Sequence, residues 1–302
     1  MCISSFFSRL SDRKFFCGFR LYNLYFSLSI IIFLFCSCQS NKKEASHFNL
    51  SQEERAWLTQ FFEDVMLCEN GIYTLYGSKP LTMIAVQQYS DAEKQAFYDS
   101  LTEDEKKDGQ ICIDYSLDKT WFQWEKIQDR FPMNRYMFFK MDQFQDDHVF
   151  FVLFVDVLKT AALIQDNYEA FQKVIGADFH PLELTLNMKQ KNSILWEKIS
   201  ENAHLLGLLF GFGKMNSYLF QWQHFDHPES CNDFCRNIVS FLSEKPSKAS
   251  MKYTINEFSI PAFKSFNLID PVVDNFRDER NRIKEIYKGK DFLDLTLKKL
   301  TE

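Results

Sequence analysis

Four side chains that can donate to a metal ion lie within twelve residues of one another. They are His224, His227, Cys231 and Cys235. Imidazole nitrogen and thiolate sulfur are the donors of tetrahedral zinc sites. However, the spacings of three, four and four residues match no finger, ribbon or knuckle pattern, and Pro228 would break a helix carrying all four. A metal site, a disulfide and unpaired thiols inside a helix that starts at Ser230 therefore stay open as alternatives.

The glycine-containing segment 211–216 (GFGKMN) invites comparison with nucleotide-binding loops. A dinucleotide fingerprint needs a third glycine where Asn216 stands, and a phosphate loop needs Ser or Thr in place of Met215. Five residues, not four, separate Gly207 from Gly213. Gly207 and the first glycine of the segment share one helical face, which predicts close helix packing followed by a break. The sequence therefore predicts no cofactor.

Asp156 is the one carboxylate that we expect to be buried, because it interrupts the strongly apolar segment 149–164. A buried carboxylate marks either a paired structural group or a functional site, and we favour the structural interpretation. The neighbouring acidic pairs Glu63-Asp64 and Asp146-Asp147 are expected on solvated faces. No serine-elbow, zinc-protease or papain-like motif occurs, so the sequence predicts no catalytic residue.

The N-terminal region combines a basic start with an apolar stretch. Arg9, Arg13, Lys14 and Arg20 against Asp12 give residues 1–37 a net charge of +3. An uncharged run of 21 residues follows, with its apolar centre at Leu24–Phe35. This order is typical of a secretory signal peptide, and the apolar centre is short for a membrane span, which needs about 20 residues. A single-span protein with an uncleaved anchor remains the alternative.

The apolar stretch ends in residues 34–38 (LFCSC), where the small residue Ser37 precedes Cys38. This resembles the lipobox of bacterial lipoproteins, although Phe35 stands where an aliphatic residue is usual. Cys36 fits less well, because the bulky Phe35 would occupy the cleavage position. The resemblance implies that Cys38 is acylated and becomes the first residue after cleavage. Membrane lipid would then be the partner, and the protein would lie in the bacterial cell envelope, on its periplasmic or outer-membrane face.

Two segments of the body extend this resemblance. Residues 73–80 (YTLYGSKP) and 205–216 (LLGLLFGFGKMN) resemble uncharacterised predicted lipoproteins of chlamydia-like bacteria. Such a relationship implies an envelope location and brings no assigned activity. The body would hold four cysteines besides Cys38, and their pairing stays open. They are Cys68, Cys112, Cys231 and Cys235.

We divide the chain into a signal peptide (1–37), a polar tether (38–50) and a single globular domain (51–302). Two capping boxes predict helices, one starting after Ser51 and one starting after Ser90. The first of these helices is predicted to end at Gly71. Further predicted helices cover 118–131, 149–175, 192–209, 214–224, 230–242 and 270–287, with a short one after Gly289. Predicted strands cover 72–76 and 81–86 as a hairpin, and 111–115, 136–141 and 253–259.

Helices outnumber these strands, so we predict a helix-rich α+β fold with small antiparallel hairpin elements among packed helices. Because the whole chain carries a net charge of −6, the part after residue 37 carries −9. An acidic body without a basic stripe argues against nucleic-acid binding. The leading hypothesis is an envelope lipoprotein that acts as a binding or assembly module. The alternative is an envelope hydrolase that uses Asp156 or the group from His224 to Cys235.

Overall fold

In a computed structural model, helices pack around a small antiparallel sheet. The structure describes residues 48–102, 117–141, 148–222, 240–242, 253–265 and 269–302. These residues belong to the compact unit His47–Glu302. The predicted helix-rich α+β class with small antiparallel strands is confirmed.

The main sheet has three strands in the order β1-β3-β2, all antiparallel to their neighbours. They are β1 (Leu81–Gln87), β2 (Tyr136–Lys140) and β3 (Val149–Asp156). Residue Leu81 lies opposite Val155, and Tyr136 lies opposite Asp156. The central strand therefore ends at Asp156, next to the starts of both neighbours.

Ten helices precede the second sheet in the described residues. They are α1 (Gln52–Glu63), α2 (Ile72–Tyr76), α3 (Asp91–Ser100), α4 (Leu117–Ile127), α5 (Val157–Asp166), α6 (Tyr168–Ile175), α7 (Pro181–Leu186), α8 (Ile194–Ile199), α9 (Ala203–Leu209) and α10 (Lys214–Gln221). A π-helical turn, Asp64–Cys68, extends α1. Short 3-10 turns, Gln128–Arg130 and Asn187–Lys189, follow α4 and α7.

The remaining described elements form a two-stranded sheet and two C-terminal helices. Strands β4 (Ser240–Leu242) and β5 (Phe263–Ser265) pair antiparallel. Helices α11 (Pro271–Tyr287) and α12 (Phe292–Thr301) follow. As predicted, Asp270 caps α11 with Pro271 in its first position, and Gly289, with φ of 70°, separates the two helices.

Strand β3 divides two hydrophobic cores. Phe150, Val152 and Phe154 pack into an aromatic-rich core with helices α1, α4 and α11, whereas Leu153 and Val155 pack into a second core with helices α6 to α9. Alternate residues of a strand point to opposite faces, so a strand buried on both faces reads as an uninterrupted apolar run.

The helix predicted over 149–175 is therefore wrong over its first eight residues: Val149–Asp156 is strand, and helix begins only at Val157. Periodicity alone cannot separate a buried strand from a buried helix. The rest is helical as predicted but is divided at Asn167 into α5 and α6, and Gly176 ends α6 with φ of 79°.

The hairpin predicted before residue 86 is also wrong in part. Leu81–Gln87 is a strand, but Ile72–Tyr76 is a helical turn, and the strand pairs with β3 instead. Gly71, predicted to end the first helix, has a right-handed helical conformation, and Asn70 takes the left-handed one with φ of 60°. The close approach of the Val65 carbonyl oxygen, 2.7 Å from where a Cβ would lie, explains the glycine at position 71.

Two predictions near the C-terminal third need correction. The helix expected over 230–242 ends as strand at Ser240–Leu242, and its residues before 240 lie outside the described ones. The strand expected over 253–259 is a turn closed by a single bridge between Thr254 and Glu257. The predicted strand 111–115 also lies outside the described residues.

Candidate functional site

Asp156 lies at the centre of a buried ionic cluster. It ends β3 and caps α5, accepting a hydrogen bond from the backbone N–H of Lys159 at 3.1 Å. Its other oxygen, Oδ2, lies 2.8 Å from Nη2 of Arg135 and 3.0 Å from Nζ of Lys159. The Asp156 side chain has no accessible surface. The predicted burial is confirmed, although the residue lies at a strand end and not inside a helix.

The cations around Asp156 have their own partners. Lys159 Nζ also donates to the carbonyl oxygen of Thr74 at 2.6 Å, which ties α5 to α2. Burial lowers the pKa of Lys159, and the charge of Asp156 opposes this shift. The hydrogen bond to Asp156 raises the pKa of Arg135. Every oxygen of the Asp156 carboxylate is thus engaged by the protein, so the cluster joins elements and does not present a carboxylate to a ligand.

Glu279 brings a second buried carboxylate to the same region. It lies on α11 directly against Gly77, where any Cβ would overlap the carboxylate. Its Oε1 accepts from Asn275 at 3.1 Å, while Oε2 is buried without a hydrogen-bond partner. The negative charge of Glu279 also favours the protonated form of Lys159. A Cβ at position 77 would also lie 2.9 Å from the backbone carbonyl oxygen of Tyr73, so a larger residue there would have to shift this turn as well as the Glu279 side chain.

Lys79, in the connector between α2 and β1, is buried to an unusual degree for lysine, with 7% of its surface exposed. Within the described structure its Nζ makes no hydrogen bond and no ion pair. Burial lowers the pKa of Lys79 to about 8, and the charge of Glu69 opposes this shift. The pKa of Tyr253 is raised, first by burial and then by the charges of Cys68 and Glu69. The charge of Glu69 therefore influences the pKa values of both Lys79 and Tyr253.

Asp64 is a further buried acid and, after Glu279, the second that the sequence did not indicate. It starts the π-helical turn, is 6% exposed, and accepts a hydrogen bond from Gln60 Nε2 at 2.9 Å. Burial raises the pKa of Asp64 to about 6. The hydrogen bond from Gln60 opposes this shift, and the negative charges of Glu63 and Glu69 add to it. The expectation that the pair Glu63-Asp64 lies on a solvated face is therefore wrong for Asp64.

The predicted close contact at Gly207 is present. A Cβ on Gly207 would lie 2.9 Å from Oγ and 3.1 Å from Cα of Ser217, so α9 and α10 pack almost backbone to backbone. The break follows at Gly211 and Gly213, whose φ angles are 81° and 77°. The segment 211–216 thus lies at the break between two closely packed helices, as its glycines predicted.

The remaining predicted site residues lie outside the described part of the chain. They are Cys38, the metal candidates His224, His227, Cys231 and Cys235, and the further cysteine Cys112. Cys68 is described and is half-buried at the end of the π-helical turn. Among the described residues, no group of three or more His, Cys, Asp or Glu side chains could hold a metal ion.

Sequence reasoning missed Lys79, Asp64 and Glu279. Lys79 and Glu279 lie in local sequences that are compatible with a surface position, and residues from distant parts of the chain contact them. Asp64 lies between apolar residues, but its pairing with Glu63 favoured a solvated face. For Lys79 these include Gly211, and for Glu279 they include Gly77. The only available signal was the position of Lys79 between Ser78 and Pro80 in a connector of four residues.

No family model matches this chain, and neither a curated protein nor a solved structure is significantly similar to it. In the part of the chain that the structure describes, no helix combines the length and the apolar character needed to cross a bilayer.

Proposed function

We propose that this chain is a lipid-anchored protein of the bacterial cell envelope whose body serves as a binding or assembly module. The observation that carries the proposal is Ser37-Cys38 at the end of a basic and then apolar leader. Two or three acyl chains on Cys38 would hold the body at a membrane stably, because each buried methylene contributes about 0.8 kcal/mol.

The start of the folded body supports a short tether. Phe48 packs its ring against Phe131 at 5.5 Å between centroids, and Arg130 donates to the carbonyl oxygen of Asn49. Helix α1 begins at Gln52 behind the capping box of Ser51. Nine residues lie between Cys38 and Phe48, so the body would attach within about 35 Å of the acylated residue, at ~3.5 Å per extended residue.

The environment of Asp156 argues against the form of the hydrolase alternative that uses this carboxylate, whereas the group from His224 to Cys235 lies outside the described residues. A catalytic carboxylate must reach the substrate within hydrogen-bond distance. Asp156 is instead enclosed and engaged by Arg135, Lys159 and a backbone N–H.

Replacement of Cys38 tests the anchor. In a bacterial host that expresses the full chain, we expect Cys38→Ala to abolish labelling by radioactive palmitate. The matched control is Cys36→Ala, which should keep the label, because Cys36 follows the bulky Phe35. Globomycin, which inhibits the lipoprotein signal peptidase, should cause the precursor of the unmodified chain to accumulate. Persistent labelling of the Cys38→Ala variant would overturn the assignment, and an intact mass that retains Met1 would support the uncleaved single-span alternative.

A further inference from the structure

Strand β1 bonds to β3 on one side only, because it lies at an edge of the three-stranded sheet. The Asp156 amide donates to the Pro80 carbonyl oxygen at 3.0 Å, and the Gln88 amide donates to the His148 carbonyl oxygen at 2.7 Å. Both pairs follow the register of β1 and β3, and such hydrogen-bonded pairs recur at every second residue of antiparallel strands. Even-numbered residues of β1 therefore bond to β3, whereas odd-numbered residues turn their backbone N–H and C=O groups outward.

The outer edge of β1 is accessible over its second half. Leu81 is completely buried and Met83 is half-buried, but Ala85 and Gln87 are exposed. In the described structure, the outward N–H and C=O groups of Met83, Ala85 and Gln87 have no hydrogen-bond partner. These backbone groups are therefore free to pair with another strand.

The opposite edge of this sheet, on β2, is enclosed. The Val157 amide donates to the Arg135 carbonyl oxygen at 2.9 Å, so the same alternation turns the backbone groups of Tyr136 and Phe138 outward. These two residues are only 2% and 6% exposed. Because the main sheet has one accessible edge, pairing of two copies there would close as a dimer and would not continue into a fibre.

Strand β1 lacks the features that usually prevent an accessible edge from pairing. Natural edge strands are protected by charged side chains, proline or a β-bulge. Residues 81–87 (LTMIAVQ) contain neither a charge nor a proline, and their pairing with β3 runs residue by residue without a bulge. Exposed aromatic side chains lie nearby: Tyr89 follows the strand, and Phe122 contacts Phe150, which lies opposite Val86. An unprotected edge next to exposed apolar side chains indicates a surface that a partner strand covers.

The outer edge of β1 is complementary to itself. In an antiparallel pair with a two-fold axis at Ala85, Met83 of one copy lies opposite Gln87 of the other, and Ala85 lies opposite its own counterpart. Every outward N–H then meets a carbonyl oxygen, because these residues face outward in both copies. No like charges meet, whereas a charged partner strand would lose solvation without finding a counter-charge on β1.

We propose that two copies of this chain pair through the outer edges of β1. The product is a two-fold dimer with one continuous sheet in the order β2-β3-β1-β1-β3-β2. The dimer names a partner for the proposed assembly module and in that sense rests on the proposed function. The pairing surface itself belongs to the body and needs no acyl chain.

Sedimentation equilibrium of the complete chain in detergent tests the proposal over a series of protein concentrations. We expect the unmodified chain to have twice the mass of a monomer. Ala85→Pro removes an outward N–H and no hydrogen bond to β3, and proline is tolerated at such edge positions. Because the dimer loses one hydrogen bond from each copy, this variant should fold and should dimerise at least about tenfold more weakly. A monomeric mass for the unmodified chain would overturn the proposal and would leave the edge to an extended segment of another protein.

A charged variant keeps the test decisive if the proline variant fails to fold. Ala85→Lys leaves the backbone intact but brings two ammonium groups together at the two-fold axis, so dimerisation should again weaken by at least about tenfold. The matched control is Ala162→Lys, the same change at an exposed position of α5, which should leave the dimer unaffected. A folded Ala85 variant that dimerises as strongly as the control would contradict pairing through β1.

Cysteine cross-linking tests the register. The Cα atoms of a hydrogen-bonded antiparallel pair lie about 5.5 Å apart, which a disulfide can span. Mild oxidation of Ala85→Cys should therefore add a covalent dimer above the background of the unmodified chain. Gln87→Cys is the control, because its two copies would be displaced by about 13 Å along the strands. Equal cross-linking of both variants would overturn the two-fold register at Ala85.

The dimer and the lipid anchor can fail separately. Palmitate labelling of Cys38 reports only on the anchor, and the mass of the complex reports only on the dimer. If Cys38→Ala loses the label and keeps the doubled mass, the pairing through β1 stands without the anchor. If the unmodified chain is labelled but monomeric, the anchor stands and the dimer does not.

Discussion

At the scale of single residues, the protein keeps several buried acids and gives each a different environment. Asp156 has two cationic partners, at 2.8 and 3.0 Å. Asp270 is bonded by Ser265, Asn216 and the backbone N–H of Val272. Burial alone would raise the pKa of Asp270, but these hydrogen bonds lower it overall. Asp64 has only Gln60 as a side-chain donor, so burial dominates there.

This difference predicts a pH dependence of stability that originates at Asp64. The folded pKa is about 6, above the ordinary value of 3.8, so between these values the folded state binds more protons than the unfolded state. The free energy of unfolding contributed by Asp64 is therefore largest below about pH 4, decreases as the pH rises to 6, and stays low above it. Asp64→Asn should raise stability at pH 7 by about 1–3 kcal/mol and leave it nearly unchanged at pH 4.

Urea unfolding at the two pH values measures this effect. Asp99→Asn is the matched control, because Gln95 donates to Asp99 with the same i,i+4 geometry at 2.8 Å, but on an exposed helix surface. That variant should change stability by less than about 0.5 kcal/mol at either pH. If Asp64→Asn destabilised the protein at pH 7 as much as at pH 4, the carboxylate would not be the source of the pH dependence.

At the scale of secondary structure elements, two identical capping boxes begin helices of very different burial. Ser51 and Glu54 cap α1, which buries Leu58, Phe61 and Phe62. Ser90 and Glu93 cap α3, which buries no side chain. The same capping motif therefore starts one helix that packs into the core and another helix that buries none of its side chains.

Removing the two caps should have unequal consequences. Ser51→Ala should lower the global free energy of unfolding by about 1 kcal/mol, the usual value of an N-cap. Ser90→Ala should mainly increase local opening of α3, with a global loss of less than about 0.5 kcal/mol, because α3 contributes few core contacts. Urea titration measures the first effect and amide hydrogen exchange the second. Equal global losses would mean that α3 is more tightly coupled to the core than its exposure indicates.

At the scale of the whole molecule, β3 organises both cores. Phe154 is completely buried and stacks on Phe138 at 4.4 Å and on Tyr136 at 5.6 Å between ring centroids. Aromatic neighbours continue from Phe138 to Phe61 and Trp124. Many of the phenylalanines that make the composition unusual therefore serve as core residues around this strand.

Truncation of this aromatic core should be costly. Phe154→Ala is expected to reduce the free energy of unfolding by about 3–5 kcal/mol, because it leaves a cavity between β2 and the helices of the first core. Phe97→Ala removes the same atoms at a position that is 56% exposed, and it should cost less than about 0.5 kcal/mol. Urea unfolding of both variants checks the contrast, and similar losses would contradict the assignment of β3 to the centre of the fold.

The sequence by itself determined features that depend on a few consecutive residues. Both capping boxes, Pro271 at the start of α11 and the helix end at Gly176 were predicted and are present, because backbone N–H groups at helix ends are satisfied by nearby side chains. The close packing at Gly207 and the burial of Asp156 were also indicated by local composition.

Only the tertiary structure decided the features that depend on distant neighbours. Val149–Asp156 is a strand because β1 and β2 supply its hydrogen-bond partners from both sides. Ile72–Tyr76 is a helix packed against the core through Ile72, Tyr73 and Leu75, while β1 pairs with the distant strand β3. Lys79 is enclosed because Gly211 approaches it from more than a hundred residues away. Strand pairing and the burial of Lys79 arise from contacts between residues that are far apart in the chain, so no local pattern predicts them.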